Sequence, residues 1–408
     1  MNVRHVACSF AILLAACGSS GDGSADPNDG ALEGGDDTAS PLDTGGGADA
    51  ILPIDGGVDG STDGAKPDTG APTDTGTDVG VGPKSDIHFI GRFDKSDPKG
   101  PKFEWSGSAI RTRFSGTGID VKLGGSANIF FQVVVDDVPT QIIKTSGAAS
   151  YSLASGLADG QHDVMLYRRN EAFFGPVQFF GFTVASGKPL VPTSPKDSRH
   201  IEFIGDSITC GYGIEGTTPT CPFTADTEDE YFTYAGITAR AVSAEQITTA
   251  WSGIGVYRDA GGGTTDQMPV RYERALPETT TSKWDFSQWT ADVVVINLGT
   301  NDFAKGDPGT NYTTALTSFV KQVRGHYGKA EIFLVLGPML SGTSLTQART
   351  YITGVQTSLN AAGDTRVDFV EFDQQKTGEI GCGYHPGLVT HQKMATKLTA
   401  AIKAKMGW

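Results

Sequence analysis

From His200 onward the chain alternates short, almost wholly apolar runs with amphipathic stretches, and this alternation limits the fold more than any other feature. Strands are predicted at 201–205, 245–250, 293–298, 331–336 and 367–372. Runs this apolar have both faces buried, the mark of a parallel sheet covered by helices. Helices are predicted at 231–243, 312–327, 345–362 and 390–405. In the last of these Met394, Leu398, Ala401 and Ile402 share one face, and Thr390 is the expected N-cap. The rhythm predicts a three-layer α/β/α domain over 200–408 around a parallel five-stranded sheet, flavodoxin-like in outline.

Such sheets place their chemistry beyond the carboxyl ends of the strands. The loops expected there each offer one reacting type. Ser207 follows the first strand in Gly205-Asp-Ser-Ile-Thr209, and Trp251-Ser-Gly-Ile-Gly255 follows the second. Gly299-Thr-Asn-Asp302 follows the third, and Cys382-Gly-Tyr-His-Pro-Gly387 precedes the last helix. An alcohol, an imidazole and fixed N–H donors are what acyl transfer requires, because the tetrahedral intermediate carries a negative oxygen. Ser207 is therefore the expected nucleophile and His385 the expected base. The Ser207 and Gly253 N–H groups and the Asn301 amide form the expected oxyanion hole, with Gly255 as the other candidate donor. His391, inside the last helix, is expected to pack or face solvent. Asp302 is expected as a solvated or capping carboxylate. No zinc-ligand spacing and no phosphate loop is present, so neither a metal nor another cofactor is expected.

The N-terminal part reads differently. Arg4 and His5 precede an apolar run, 6–16, that is too short to span a bilayer and reads as an export signal. It ends in Leu14-Ala-Ala-Cys17, which resembles the bacterial lipobox and implies cleavage before Cys17 and lipidation of that residue. With Gly18 next, the expected location is the outer membrane or cell surface of a Gram-negative bacterium. Residues 18–85 contain no aromatic side chain and are rich in Gly, Asp, Thr and Pro, a composition that cannot offset chain entropy and predicts a disordered tether. That tract holds fourteen Asp or Glu against two Lys, most of the chain's net charge of −15. The acidity therefore belongs to the tether; it argues against nucleic acid and says nothing of the substrate. Over 86–188, seven short alternating segments broken by Gly, Asp and Ser predict an antiparallel β-sandwich of jelly-roll type, joined to the second domain by 189–199. The sandwich is expected to pack against, or complete the cleft of, its neighbour. Cys210, Cys221 and Cys382 remain in an exported chain, which predicts one disulfide near Ser207 or His385 without choosing the pair.

The four blocks, in the order Ser, Gly, Asn, His, resemble those of the SGNH (GDSL-type) hydrolases. Together with the sandwich and with Gly253-Ile-Gly-Val-Tyr-Arg258, Asp285-Phe-Ser-Gln-Trp289 and His385-Pro-Gly-Leu-Val-Thr-His391, they resemble carbohydrate esterase family two. The resemblance implies a metal-free enzyme that removes O-acetyl groups from plant cell-wall polysaccharides such as xylan and glucomannan, and the chain is expected to be a monomer. Trp251, Tyr257, Trp284 and Tyr384 lie near the blocks and are candidates for stacking on sugar rings. One departure stands out: Cys382 occupies the position three before the histidine where SGNH enzymes commonly carry aspartate. Two alternatives follow, a Ser–His dyad with a backbone carbonyl orienting the imidazole, or a carboxylate from Glu371, Asp373 or Glu379. The competing functions are a broad esterase or lipase on small acyl esters and a polysaccharide-binding lipoprotein without turnover.

Overall fold

The computed structural model describes residues 86–192 and 195–408. The expected signal, Cys17 and the tether lie outside the described residues.

The sandwich comprises β1 (Ile87–Ile90), β2 (Lys102–Phe103), β3 (Ala109–Gly116), β4 (Ile119–Gly125), β5 (Ala127–Val135), β6 (Val138–Ser146), β7 (Ala149–Ala154), β8 (Gly160–Arg168), β9 (Val177–Val184) and β10 (Leu190–Val191). One sheet runs β1-β3-β8-β5-β6 with β10 added on β3, and the other runs β2-β9-β4-β7, all antiparallel. Alternate residues of each strand point between the sheets, so that Phe103, Phe114, Val121, Phe131, Leu166 and Phe179 meet in one core. The strands that periodicity missed are β2, β7 and β10. The two-residue strands are too short to show a period, and β7 is a sheet edge with polar residues on one face.

The second domain carries β11 (Arg199–Gly205), β12 (Ala244–Ala250), β13 (Val293–Asn297), β14 (Glu331–Leu336) and β15 (Val367–Glu371) in the order β12-β11-β13-β14-β15, all parallel. Its helices are α1 (Ser207–Cys210), α2 (Tyr234–Ala241), α3 (Met268–Arg271), α4 (Thr310–His326), α5 (Gly342–Ala361) and α6 (Leu388–Met406). The central strands β13 and β14 are almost wholly apolar because each face of the sheet has its own core. Val294 and Ile296 pack with Leu316, Phe319 and Ile352, whereas Val293 and Val295 pack with Ala235, Met394, Leu398 and Ile402. All four helix starts differ from expectation by two or three residues, and two of the shifts have a visible cause. Residues 230–232 form a separate 3-10 turn, and α2 begins only at Tyr234, capped by the Thr233 hydroxyl. Helix α6 has Gly387 at its N-cap, and the Thr390 hydroxyl instead donates to the Glu379 carbonyl at 2.8 Å.

The two domains share buried charge. Arg92 of the sandwich donates to Glu202 of β11 at 2.7 Å with both side chains fully buried, and stands over the Tyr272 ring. Removing one partner of such a pair typically costs about 3–5 kcal/mol, because the other charge is left uncompensated. A second seam runs from the end of β8 to Glu228-Asp229-Glu230. The Tyr167 hydroxyl donates to Glu230, Arg169 pairs with Asp229 at 2.9 Å, and the Glu171 N–H donates to Glu228 at 3.0 Å. Alternate residues of the outgoing strand thus meet three consecutive acids, and all six side chains are buried.

Candidate active site

Strand β11 delivers Ser207 to the carboxyl edge of the sheet. Asp206 caps the single turn of α1 by accepting from the Ile208 N–H, which fixes the backbone on which Ser207 sits. Gly205 precedes it where an added Cβ would lie 2.0 Å from the Thr209 hydroxyl. The Ser207 N–H, in the first turn of α1, has no partner within the helix and remains a donor for an incoming oxygen.

The imidazole meets the hydroxyl. His385 Nε2 lies 2.8 Å from Ser207 Oγ, and its Nδ1 lies 2.9 Å from the Gly383 carbonyl oxygen. With the carbonyl able only to accept, Nδ1 carries the hydrogen and Nε2 is the free base. The Tyr212 ring lies 4.3 Å from the imidazole and stacks on Phe223. Burial pushes the His385 pKa down to about 4, against the opposing pull of the Gly383 carbonyl. The ring is therefore neutral at pH 7 and able to accept a proton.

The carboxylates weighed as a third member are engaged elsewhere. Glu371 is bound by Arg349, Asp373 by Lys397 and Glu379 by Lys393. Cys382, at the aspartate's place, is joined to Cys221, and Cys210 is the free, buried thiol. The base loop is stitched to 213–221 on both sides of that bridge. Cys382 N–H donates to Gly213 O at 2.9 Å, Gly383 N–H to Cys221 O at 3.1 Å and Tyr384 N–H to Pro219 O at 3.0 Å. Gly383 has φ of +60°, a conformation costly to a residue with a Cβ, and this turns its carbonyl toward Nδ1.

The oxyanion candidates come from the next two loops. Gly253 has φ of +80° with open space around its Cα. The Gly255 N–H is occupied by Gln267 Oε1 at 3.1 Å, and an added Cβ there would strike the Arg258 carbonyl, so Gly255 serves the packing of the loop. Asn301 is 9% exposed; its amide donates to Ile254 O at 2.8 Å and reaches Asp206 Oδ2 at 3.3 Å. The longer contact is the one an oxyanion can share. Burial pushes the Asp206 pKa up to about 7. Asp302 is fully buried rather than solvated, and its carboxylate accepts the N–H groups of Val256, Tyr257 and Arg258. It holds the loop that carries Gly253. His391 is buried in α6 and accepts from the Tyr234 N–H at 3.1 Å, so it ties α6 to α2.

Of the stacking candidates, Trp284 is corrected: at 8% exposure it lies inside the domain interface, facing the Arg92 guanidinium. Trp251 is half-buried beneath the Arg271 guanidinium and 6.4 Å from Phe173 of the sandwich. Tyr257 is half-buried and takes a hydrogen bond from Asn311; Tyr384, next to the base, is 48% exposed. Glu171 and Glu228 were missed. With Cys210 they form the one cluster of three potential metal-ligand side chains among the described residues, all buried and with ligand atoms within 4.8 Å of one another.

The sequence matches two family descriptions, "Carbohydrate esterase 2 N-terminal" over residues 89–194 and "GDSL-like Lipase/Acylhydrolase family" over residues 203–392. Over 326 residues it is 46% identical to the cellulase/esterase CelE of Acetivibrio thermocellus, covering 79% of this chain and 40% of that protein. The chain therefore spans less than half of that relative. It is 28% identical to an acetylxylan esterase / glucomannan deacetylase of Cellvibrio japonicus, covering 79% of this chain and 91% of that protein. A solved family two carbohydrate esterase from Clostridium thermocellum, in complex with cellohexaose, is similar at TM-score 0.76 and 45% identity, over 79% of this chain and 99% of that one.

Proposed function

The chain belongs to carbohydrate esterase family two, and from that premise we propose that it removes O-acetyl groups from plant cell-wall polysaccharides through a Ser207–His385 dyad. The carrying observation is the 2.8 Å contact between Ser207 Oγ and His385 Nε2, with Nδ1 held by a backbone carbonyl. Ser207 Oγ attacks the acetyl carbon while its proton passes to Nε2. The new negative oxygen is met by the Ser207 and Gly253 N–H groups and the Asn301 amide. The bond to the sugar oxygen then breaks, and His385 returns the proton to that oxygen, leaving acetyl-Ser207. Water attacks the acetyl group, giving its proton to His385; acetate departs and Ser207 recovers its hydrogen.

The substrate reading is supported by the relative named acetylxylan esterase / glucomannan deacetylase and by the relative solved with cellohexaose. Trp251, Tyr257 and Tyr384 are the side chains proposed to line the sugar path. The chain is proposed to act as an exported protein held at the outer membrane through Cys17. Acetate release from acetylated xylan and glucomannan tests the function, with Ser207→Ala as control. Release that persists in the control removes the dyad, and release from small aryl esters alone favours a general esterase.

A further inference from the structure

The donors proposed for the oxyanion sit on separate loops, which the second domain joins through the Trp251 N–H to Gly205 O hydrogen bond at 3.2 Å and through the Asn301 amide between Asp206 and Ile254. A further side chain bridges them from the sandwich. Glu171, just past β8 of the sandwich, accepts both the N–H and the hydroxyl of Ser252 (2.7 Å for the N–H) and takes the Cys210 thiol at 3.6 Å. Ser252 precedes Gly253, and Cys210 closes the turn that begins at Ser207. We propose that Glu171 is a positioning residue for the reaction, a carboxylate lent by the sandwich that sets the oxyanion loop against the nucleophile's turn. The inference rests on the esterase reading of the site and adds a role for the first domain.

A second acid makes the arrangement tenable. Glu228 Oε2 accepts the Glu171 N–H at 3.0 Å, whereas Glu228 Oε1 is buried without a donor. Two carboxylates cannot both be charged in so small a buried space. The donors from Ser252 and Cys210 all converge on Glu171 and offset part of the burial that pushes its pKa up, which favours the charge on Glu171 and the proton on Glu228. Burial, followed by the Glu171 charge, pushes Glu228 well above the usual carboxylate range. The other titratable groups that interact with the pair are Arg168, Asp206, Cys210 and Tyr212. Burial also raises the Cys210 pKa, so the thiol remains a donor.

The test is a double-mutant cycle on the full chain with 4-nitrophenyl acetate, which needs the dyad and oxyanion hole but no glycan recognition. Glu171→Gln is expected to lower kcat by about 10- to 100-fold with KM within about twofold. Ser252→Ala is expected to lower kcat by about 3- to 10-fold alone, and by less than about twofold in the Glu171→Gln background, since the two act through one contact. Multiplicative losses, a loss carried by KM, or a wild-type kcat in Glu171→Gln overturns the proposal. Should Glu171→Gln fail to fold, Ser252→Ala decides, and a wild-type kcat there overturns it equally. A stoichiometric divalent metal in the purified chain overturns it too, since the cluster would then hold an ion rather than a proton. A wild type active on the aryl ester but inactive on acetylated glycans contradicts the substrate reading and leaves this test standing; inactivity on both overturns both.

Discussion

The loop carrying the base is fastened within its own domain, whereas the loop carrying Gly253 is fastened partly from the other one. Residues 382–385 are tied to 213–221 by a disulfide and by main-chain hydrogen bonds, and the imidazole is oriented by the neighbouring Gly383 carbonyl. Residues 251–258 are held by side-chain carboxylates, Asp302 from below and Glu171 from the sandwich. A covalent bond and peptide groups do not titrate at ordinary pH. The 382–385 loop is thus expected to respond to reduction of its disulfide, and the 251–258 loop to changes at the domain seam. In the proposed dyad the position of the aspartate common in SGNH enzymes is occupied by a cysteine that secures the loop, and orientation falls to the Gly383 carbonyl.

The largest effect that can break this contrast is loss of the base itself. His385→Ala is expected to reduce kcat on an acetyl ester by about 10⁴-fold or more, with the fold retained by circular dichroism. Asn301→Ala follows, at about 10²- to 10³-fold in kcat, because its amide meets charge present only in the tetrahedral intermediate; an unchanged rate removes it from the site. Replacing both Cys221 and Cys382 by serine sharpens the contrast. Denaturant unfolding should show a loss of about 2–5 kcal/mol, and kcat should fall about tenfold, an estimate for a base held less often at the 2.8 Å contact. The pH profile gives a smaller signal. With the His385 pKa lowered by burial to about 4, kcat/KM should change little between pH 7 and 5 and fall only as pH drops through about 4. A fall centred at the ordinary imidazole value near 6.5 that persists in Asp206→Asn, which removes the neighbouring carboxyl pushed up to about 7, contradicts the neutral base. The smallest effect is expected from Glu371→Gln, Asp373→Asn and Glu379→Gln. Each breaks only a contact to a surface cation and should leave kcat within about twofold. A loss of several orders of magnitude at any one restores a triad.

The parallel sheet was legible because two-sided burial leaves an unmistakable apolar run, as in Val293 to Ile296. The loops that hold Ser207, Gly253, Asn301 and His385 were legible because each lies just beyond a strand or just before the last helix, and the contact of Ser207 with His385 is what the structure adds. The acidic seam was not. Tyr167-Arg-Arg-Asn-Glu171 and Glu228-Asp-Glu230 are polar stretches that read as solvated loops until the domains meet. Their available signal was three consecutive acids ahead of an apolar helix, matched by alternate polar residues at a strand end. Trp284 misled because closeness to a motif along the chain is not closeness in space. Disulfide choice depends on which loops converge, and spacing alone cannot report that.

The most direct measurement is titration of the chain with a serine-reactive phosphonate, read together by peptide mass and by acetate release. One adduct per chain is expected, on Ser207, with acetate release falling in proportion and no adduct forming in His385→Ala. An unlabelled Ser207, or a fully labelled Ser207 with acetate release intact, rules out the Ser207–His385 dyad.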